Sequence, residues 1–585
     1  MIDRKERQYQ GLGISQGIAI GTAHVRESGV VDTPEYTLKK REVATEQGRL
    51  KRAVNLAQRQ MRRLQTRAKG MPGAASEELA ILLDAYLNML DDSRLIRGAD
   101  RRIVEDRINA EAAVSREIAE IAEAFQAMED SYIAARLDDI REVGNRILLN
   151  LGKHPARPLT SLPKGSVIIA DSLSPADMAQ LDPAHVSGVA TMLGGGEGHT
   201  AIMARALGLP GVLGAPELMD GVRSGDQVIV DGNSGRIVVN PTRNSLARYI
   251  RRRADFEKER KRLAYLKNRP AVSRDGTEVS LQANVELPVE MNAVKQVGAE
   301  KIGLLRSEFM FMNRTTLPSE DEQYAALSAM VKSMNGQTVT VRSLDIGAEK
   351  ESDAVTGGMD DSVTTALGLR GIRLSLAYPN LLETQFCAIL RAAHHGDIRV
   401  LLPMVSQVGE VRKARNIMKS AAAKLKRRKI KLPDPLPAIG VMIEVPGAAL
   451  AADALAQASD FMAIGSNDLT MYTLAVDRAN EHVSHLFDPL HPAVLRLIQF
   501  TTSAALRARI PISICGEMAG DPRYTALLIG LGLRELSMTP SSIPKVKQRL
   551  REMDAVAAAT RANLIMDQVD SGRIMTLLDD FNALA

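Results

Sequence analysis

His199 closes a glycine run, Gly194-Gly195-Gly196-Glu197-Gly198-His199, and stands just ahead of the apolar stretch AIMARALGLPGVLG. The glycines permit a tight turn, and the apolar periodicity predicts a helix that starts at this histidine. A helix start offers unpaired backbone N–H groups and favours an anion. Imidazole is also a nucleophile, so the chemistry suited to this position is a phosphoryl group carried on His199. The spacing does not fit the GxGxxG nucleotide fingerprint. For a single histidine, an inert loop position is the ordinary alternative.

A second set of reactive residues lies in the C-terminal half: Arg306, Arg342, Glu444, the pair Asn467-Asp468, and Cys515. Each follows several apolar residues. Planar guanidinium groups bind phosphate and carboxylate in bidentate fashion, so Arg306 and Arg342, joined by Arg370 and Arg478 from loops, would clamp a small anion. Glu444 and Asp468 supply two hard oxygen ligands, suited to Mg²⁺ with waters and substrate oxygens completing its shell. Cys515 could move a proton. Taken singly, the arginines read as surface ion pairs, Glu444 as a satisfied buried carboxylate and Cys515 as an inert core thiol. Together they suit a small phosphorylated carboxylic acid and a divalent metal.

The apolar runs that carry these residues are EVSLQANV, KIGLLRSE, TVTVRSLDI, IRVLLPMV, IGVMIEVP, FMAIGSND, PISICGEM and LRELSMTP. Helical stretches separate most of them. The expected fold class is α/β, with a C-terminal (β/α)₈ barrel whose strand ends carry the chemistry.

The N-terminal half changes pattern twice. GLGISQGIAIGTAHV is β-like, and SVIIA, QVIVD and RIVVN read as strands around turn signals. Between them, Leu50, Val54, Ala57, Met61, Leu64 and Ala68 form a heptad seam, and Val114, Ile118, Ile121, Phe125 and Met128 repeat the stepping. Met71-Pro72-Gly73 reads as a break and Leu90-Asp91-Asp92-Ser93 as a turn with an N-cap candidate. The expected division is a small α/β domain over 1–30 and 145–242, an inserted helical bundle over 31–144, a linker helix over 243–270, and the barrel over 271–585. The linker reads as no core element.

Composition narrows the class. The 585 residues are 45% hydrophobic and 25% charged, with 3% aromatics and no Trp. A chain so poor in rings is ill suited to stacking single-stranded nucleic acid. The two cysteines, Cys387 and Cys515, read as free thiols in a reducing compartment. With no apolar leader in MIDRKERQYQG and no long apolar run, the expectation is a cytoplasmic chain without membrane insertion. The net charge of +5 hides segregation: Thr37–Lys69 carries +9, Ser76–Glu142 carries −9, Arg248–Arg274 carries +8, and Arg412–Lys431 holds 10 basic residues and no acid. An acidic bundle half suits a basic protein partner. The basic runs read as solvated helix faces without a nucleic-acid motif.

The motifs GGGEGHTAIMAR, IGLLRSEFMFMNR, VRSLDIGAEK, ALGLRGIR, GVMIEVP, FMAIGSNDLTMYTLAVDR and ICGEMAGD, with DAYLNMLDD in the bundle, make nearly the whole chain resemble Enzyme I of the bacterial phosphotransferase system. That resemblance implies a phosphoenolpyruvate-protein phosphotransferase. His199 would be the phosphorylated histidine, in a swivelling domain. Arg306, Arg342, Asn467, Asp468 and Arg478 would hold phosphoenolpyruvate, with Arg370 and Lys350 nearby. Glu444 and Asp468 would bind Mg²⁺, and Cys515 would protonate the enolate to pyruvate. The bundle would receive the phosphocarrier protein HPr, and the barrel would form a homodimer. Transfer from substrate to His199 and on to a carrier needs His199 to serve two places, which makes the 243–270 linker a hinge region.

The chain departs from the family pattern in three places. Glu197 and Gly198 stand where a hydroxyl pair usually precedes the histidine. Met178 replaces a hydroxyl 21 residues upstream, and Asp361–Thr365 replace a Glu-Asn-Pro-like stretch. These changes bear on His199 and leave the barrel residues intact. Two other readings stay open: the same chemistry feeding a nitrogen-regulatory or other dedicated carrier, and a phosphoenolpyruvate-sensing protein with weak catalysis.

Overall fold

The computed structural model describes residues 5–26, 34–68, 83–91, 93–126, 131–152, 162–178, 180–194, 199–286, 288–311, 316–346, 355, 365–477 and 482–583. The chain divides into two compact units, Met1–Glu259 and Arg260–Ala585.

The first unit is built on an eight-stranded mixed sheet of β1 (Arg7–Gln10), β2 (Leu12–Ser15), β3 (Ile18–Arg26), β4 (Ser166–Ala170), β5 (Val186–Thr191), β6 (Gly211–Leu213), β7 (Gln227–Asp231) and β8 (Arg236–Val239). Their order is β1-β8-β7-β3-β4-β5-β6-β2. β3 pairs in parallel with β4, placing Ile168 opposite His24, and antiparallel with β7, placing Ile229 opposite Ile20. Because β3 and β4 are neighbours, everything between them is an excursion from one sheet.

Among its described residues that excursion carries the helices α1 (Val43–Ala68), α2 (Arg94–Glu105), α3 (Ala110–Gln126) and α4 (Ser131–Leu151). The heptad seam of α1 is its inner face, since Leu50, Val54, Ala57, Met61 and Leu64 are all at most 7% exposed. Ser93 caps α2, its hydroxyl accepting from the Ile96 N–H. Val114 and Ile121 of α3 are buried, and Ile118 packs against the same core. The Met71-Pro72-Gly73 break, Met128 and the side chains of Ala68 and Phe125 lie outside the described residues. A half-buried polar knot ties the bundle. Arg49 Nη1 donates to Glu46 at 2.9 Å and to Glu111 at 3.0 Å, and its Nη2 donates to the Leu151 carbonyl at 2.7 Å.

Two expectations for this unit need correction. The apolar run after His199 is not helical to its end. The helix α5 (His199–Leu207) stops at Gly208, which sits at φ +64°, and after Pro210 the residues Gly211–Leu213 become β6. A left-handed glycine followed by proline ends a helix, whatever the hydropathy beyond. The linker helix α6 (Arg243–Tyr265) also contributes to a core: Tyr249 is fully buried and packs with Ile18, Ile229 and Val238. An aromatic ring in a highly charged helix gives it an anchored face.

The second unit is a closed barrel of β9 (Ser280–Val285), β10 (Ile302–Arg306), β11 (Val339–Arg342), β12 (Ile398–Leu402), β13 (Ile439–Ile443), β14 (Met462–Ile464), β15 (Ile512–Ile514) and β16 (Glu535–Met538). Every neighbouring pair is parallel, and β16 closes on β9 with Leu536 opposite Leu281. Each apolar run named above contains one of these strands. Parallel strands covered by helices are buried on both faces, which explains their near-continuous Val, Ile, Leu and Met content. No described helix is long and apolar enough to cross a membrane.

Candidate active site

The barrel sets its reactive groups by strand length. Arg306 is the last residue of β10 and Arg342 the last of β11; Glu444 follows β13 directly, and Cys515 follows β15 directly. Asn467 and Asp468 lie in the first turn of α7 (Ser466–Leu474), just past β14. All therefore belong to the C-terminal ends of the strands, where barrel loops build pockets.

Buried carboxylates hold the arginines. Arg342 is 4% exposed and Asp345 fully buried. Arg342 Nη1 contacts Asp345 Oδ2 at 3.1 Å, and its Nη2 donates to Glu308 Oε1. Asp345 also accepts from Arg370, from Nε at 3.0 Å and from Nη2 at 3.1 Å. Arg370 reaches onward to Asp468 Oδ2 at 3.1 Å and to the Tyr472 hydroxyl at 3.1 Å, which itself donates to the Ala366 carbonyl at 2.6 Å. One continuous ion-pair chain thus runs Glu308–Arg342–Asp345–Arg370–Asp468. Burial opposes the charge of both guanidinium groups, but the surrounding carboxylates outweigh it and hold both pKa values above the usual arginine range. Arg306 pairs with Glu286.

Glu444 is 1% exposed, and its Oε1 accepts from the Met404 N–H at 2.6 Å. Burial first, then the charges of Asp468 and Asp345, raise its carboxyl to about 8, against the pull of Arg342 and Arg370. Crowded carboxylates of this kind fit a divalent cation, whose charge would relieve the repulsion. Among the described residues, no group of three or more His, Cys, Asp or Glu is arranged as a metal cage. The donor set on offer is the pair Glu444 and Asp468.

Cys515 is 6% exposed and packs with Leu304, Leu401, Met442, Phe461 and Ala463. Its Sγ lies 3.5 Å from the Ile464 carbonyl, and Asn284 donates to the Cys515 carbonyl at 2.9 Å. Burial, then the charge of Glu444, pushes the thiol up to about 12. It is held as S–H across the neutral range, as a proton donor requires. Asn467 is paired with Glu517 by two bonds, Nδ2 to Oε1 at 3.0 Å and Oδ1 from the Glu517 N–H at 2.9 Å.

The structure thus brings Arg342, Arg370, Glu444, Asp468 and Cys515 into one interacting group, with Arg306 and Asn467 at the same strand ends. Lys350 and Arg478 lie outside the described residues, as do Glu197, Gly198 and residues 361–364. His199 begins α5 as the sequence suggests, and its side chain is not among those described. Met178 is fully buried in the core of the first unit. Sequence reasoning missed Glu308, Asp345 and Tyr472. The available signal was the Arg342-x-x-Asp345 spacing after a strand, which sets a carboxylate against an arginine that needs a counter-charge.

A phosphoenolpyruvate-protein phosphotransferase of Cupriavidus necator is 39% identical over 569 residues, covering 96% of this chain and 96% of its own. The chain belongs to the phosphoenolpyruvate-protein phosphotransferase family. A family member from Geobacillus stearothermophilus is 38% identical over 559 residues, covering 95% of each chain. Three models of PEP-utilising enzymes match in order: the N-terminal domain at residues 10–136, the mobile domain at 162–235 and the PEP-binding domain at 260–555. An NMR solution structure of Enzyme I is 32% identical, covers 43% of this chain and 99% of its own, and has a TM-score of 0.38. In this family's terms, His199 lies within the mobile-domain match and the arginine–carboxylate chain within the PEP-binding match.

Proposed function

We propose that this protein phosphorylates itself on His199 with phosphoenolpyruvate, releases pyruvate, and passes the phosphoryl group to a phosphocarrier protein of the HPr type. The observation that carries the reading is the Asp345-bridged pair Arg342–Arg370 at the barrel mouth that also holds Cys515. Arg306, Arg342, Arg370, Asn467, Asp468, Arg478 and Lys350 bind and orient the substrate anion. The His199 imidazole nitrogen attacks phosphorus, and the bond from phosphorus to the enol oxygen breaks. The enolate left behind takes the Cys515 proton at its terminal carbon and becomes pyruvate; solvent then returns a proton to the thiolate. Mg²⁺, when held by Glu444 and Asp468, supplies charge neutralisation for the phosphate oxygens. Arginine positioning and a buried S–H do the rest: they orient the leaving enolate and deliver its proton where water is scarce.

In this reading, residues 1–30 and 145–242 form the swivelling domain and 243–270 its linker. The bundle at 31–144, with its acidic −9 stretch, meets the basic carrier. The barrel at 271–585 dimerises, and the enzyme works in the cytoplasm. A phosphorelay assay tests this: the full chain, phosphoenolpyruvate, Mg²⁺ and purified sugar-branch or nitrogen-branch carriers, followed by pyruvate and by carrier phosphorylation. The reading expects both products with a sugar-branch carrier. Substrate binding without pyruvate would refute it.

A further inference from the structure

Asn467 carries a carboxamide whose two ends differ in chemistry but hardly in shape, so something must decide which end faces the substrate. The structure assigns this task to Glu517. The Asn467 Oδ1 accepts from the Glu517 backbone N–H at 2.9 Å while Nδ2 donates to the Glu517 carboxylate at 3.0 Å. The flipped amide would set donor against donor at one contact and oxygen against carboxylate at the other. One residue thus reads both ends of the amide and rejects the reversed orientation. Among the described residues, the second Nδ2 hydrogen meets no further partner, and Asn467 is half-buried at the strand ends. A fixed N–H donor there suits an anionic oxygen.

The approach of the two segments is built in. A Cβ on Gly516 would lie 1.8 Å from Ser466 Oγ and 3.0 Å from Asn467 Oδ1, so only glycine lets the turn after Cys515 come this close. The same turn carries Cys515 and Glu517 on either side of Gly516. Placement of the thiol and orientation of the amide therefore share one short segment.

We propose that Glu517 is a positioning residue that acts on the substrate anion through Asn467. This rests on the phosphoenolpyruvate reading of the site. What the role needs is an acceptor at the carboxylate's place; its charge is not required. Glutamine keeps an acceptor oxygen, whereas alanine and methionine remove it.

The test measures phosphoenolpyruvate-dependent pyruvate release by the full chain with Mg²⁺. Glu517→Ala and Glu517→Met are each expected to lower kcat/KM about tenfold, the scale of one hydrogen bond to a charged group. Glu517→Gln is expected to restore it to within about threefold. In an Asn467→Ala background, Glu517→Ala should cost almost nothing more, because the residue through which it acts is gone. Equal activity of Glu517→Ala and the parent overturns the proposal. So does Glu517→Gln as impaired as Glu517→Ala, or a full additional loss in the Asn467→Ala background. A parent protein that releases no pyruvate refutes the functional reading instead, so the two failures are told apart.

Discussion

Asp345→Asn is the sharpest perturbation of the arginine chain. Asp345 is fully buried and takes one contact from Arg342, at 3.1 Å, and two from Arg370, at 3.0 and 3.1 Å. An asparagine there has one acceptor oxygen. With that oxygen at the Oδ2 position, its amide N–H₂ faces the Arg370 Nε–H, donor to donor. With it at Oδ1, two contacts are lost. Either way, two buried guanidinium groups lose a shared negative charge. Glu308 still holds Arg342, and Asp468 still holds Arg370, so the loss is partial. Removing one partner of a buried ion pair costs about 3–5 kcal/mol, and these remaining partners place the cost near 3. At roughly 2 °C per kcal/mol for a unit of this size, the barrel's thermal midpoint should fall about 6 °C. If the same cost reaches the transition state, kcat/KM for phosphoenolpyruvate falls about 100-fold. Scanning calorimetry and a pyruvate assay on the same preparation read both numbers. A variant with an unmoved midpoint and parent-like kcat/KM would refute the argument that Asp345 orders these arginines.

Four further outcomes follow from the structure. With Cys515 held up to about 12 and Cys387 to about 11, both by burial, neither thiol should react with a thiol reagent at pH 8 until the chain is unfolded. The sign for stability runs with them: the unfolded chain loses these protons above pH 9 while the folded chain keeps them, so stability should fall as pH rises from 9 toward 12, as an alkaline unfolding series would record. Cys515→Ala should slow pyruvate release by about 10²–10⁴, the range for a lost general acid, with the barrel's midpoint little changed; parent-like release would remove Cys515 from the mechanism. Arg49→Met strands the buried Glu46 and Glu111, and limited proteolysis should then cut the 43–151 helices faster while the barrel stays resistant.

The barrel was legible because its strands are short runs rich in apolar residues, several of them closed by a polar one, as in IGLLR or GVMIEVP. The sheet of the first unit was less so. β1 reads Arg-Gln-Tyr-Gln, an edge strand with one partner and little to bury, and β6 is three residues hidden inside an apolar run. At the site, residues with reactive side chains stood out, and their counter-ions did not. Glu308 is 2% exposed and Asp345 fully buried, and both were invisible in a string where carboxylates usually mean surface. Tyr472 was hidden likewise, since a hydroxyl that joins Arg370 to the Ala366 carbonyl has no signature in sequence. Such residues become necessary only once two arginines share a buried space, and that is a property of the fold.

In the proposed function, His199 takes the phosphoryl group from phosphoenolpyruvate. The direct measurement incubates the full chain with ³²P-phosphoenolpyruvate and Mg²⁺, then tests the label's stability and position. Phosphorylation of His199 is expected to give an acid-labile, base-stable label that maps to that residue and is absent from His199→Ala. A label that survives in His199→Ala, or no label on the parent chain, would contradict it.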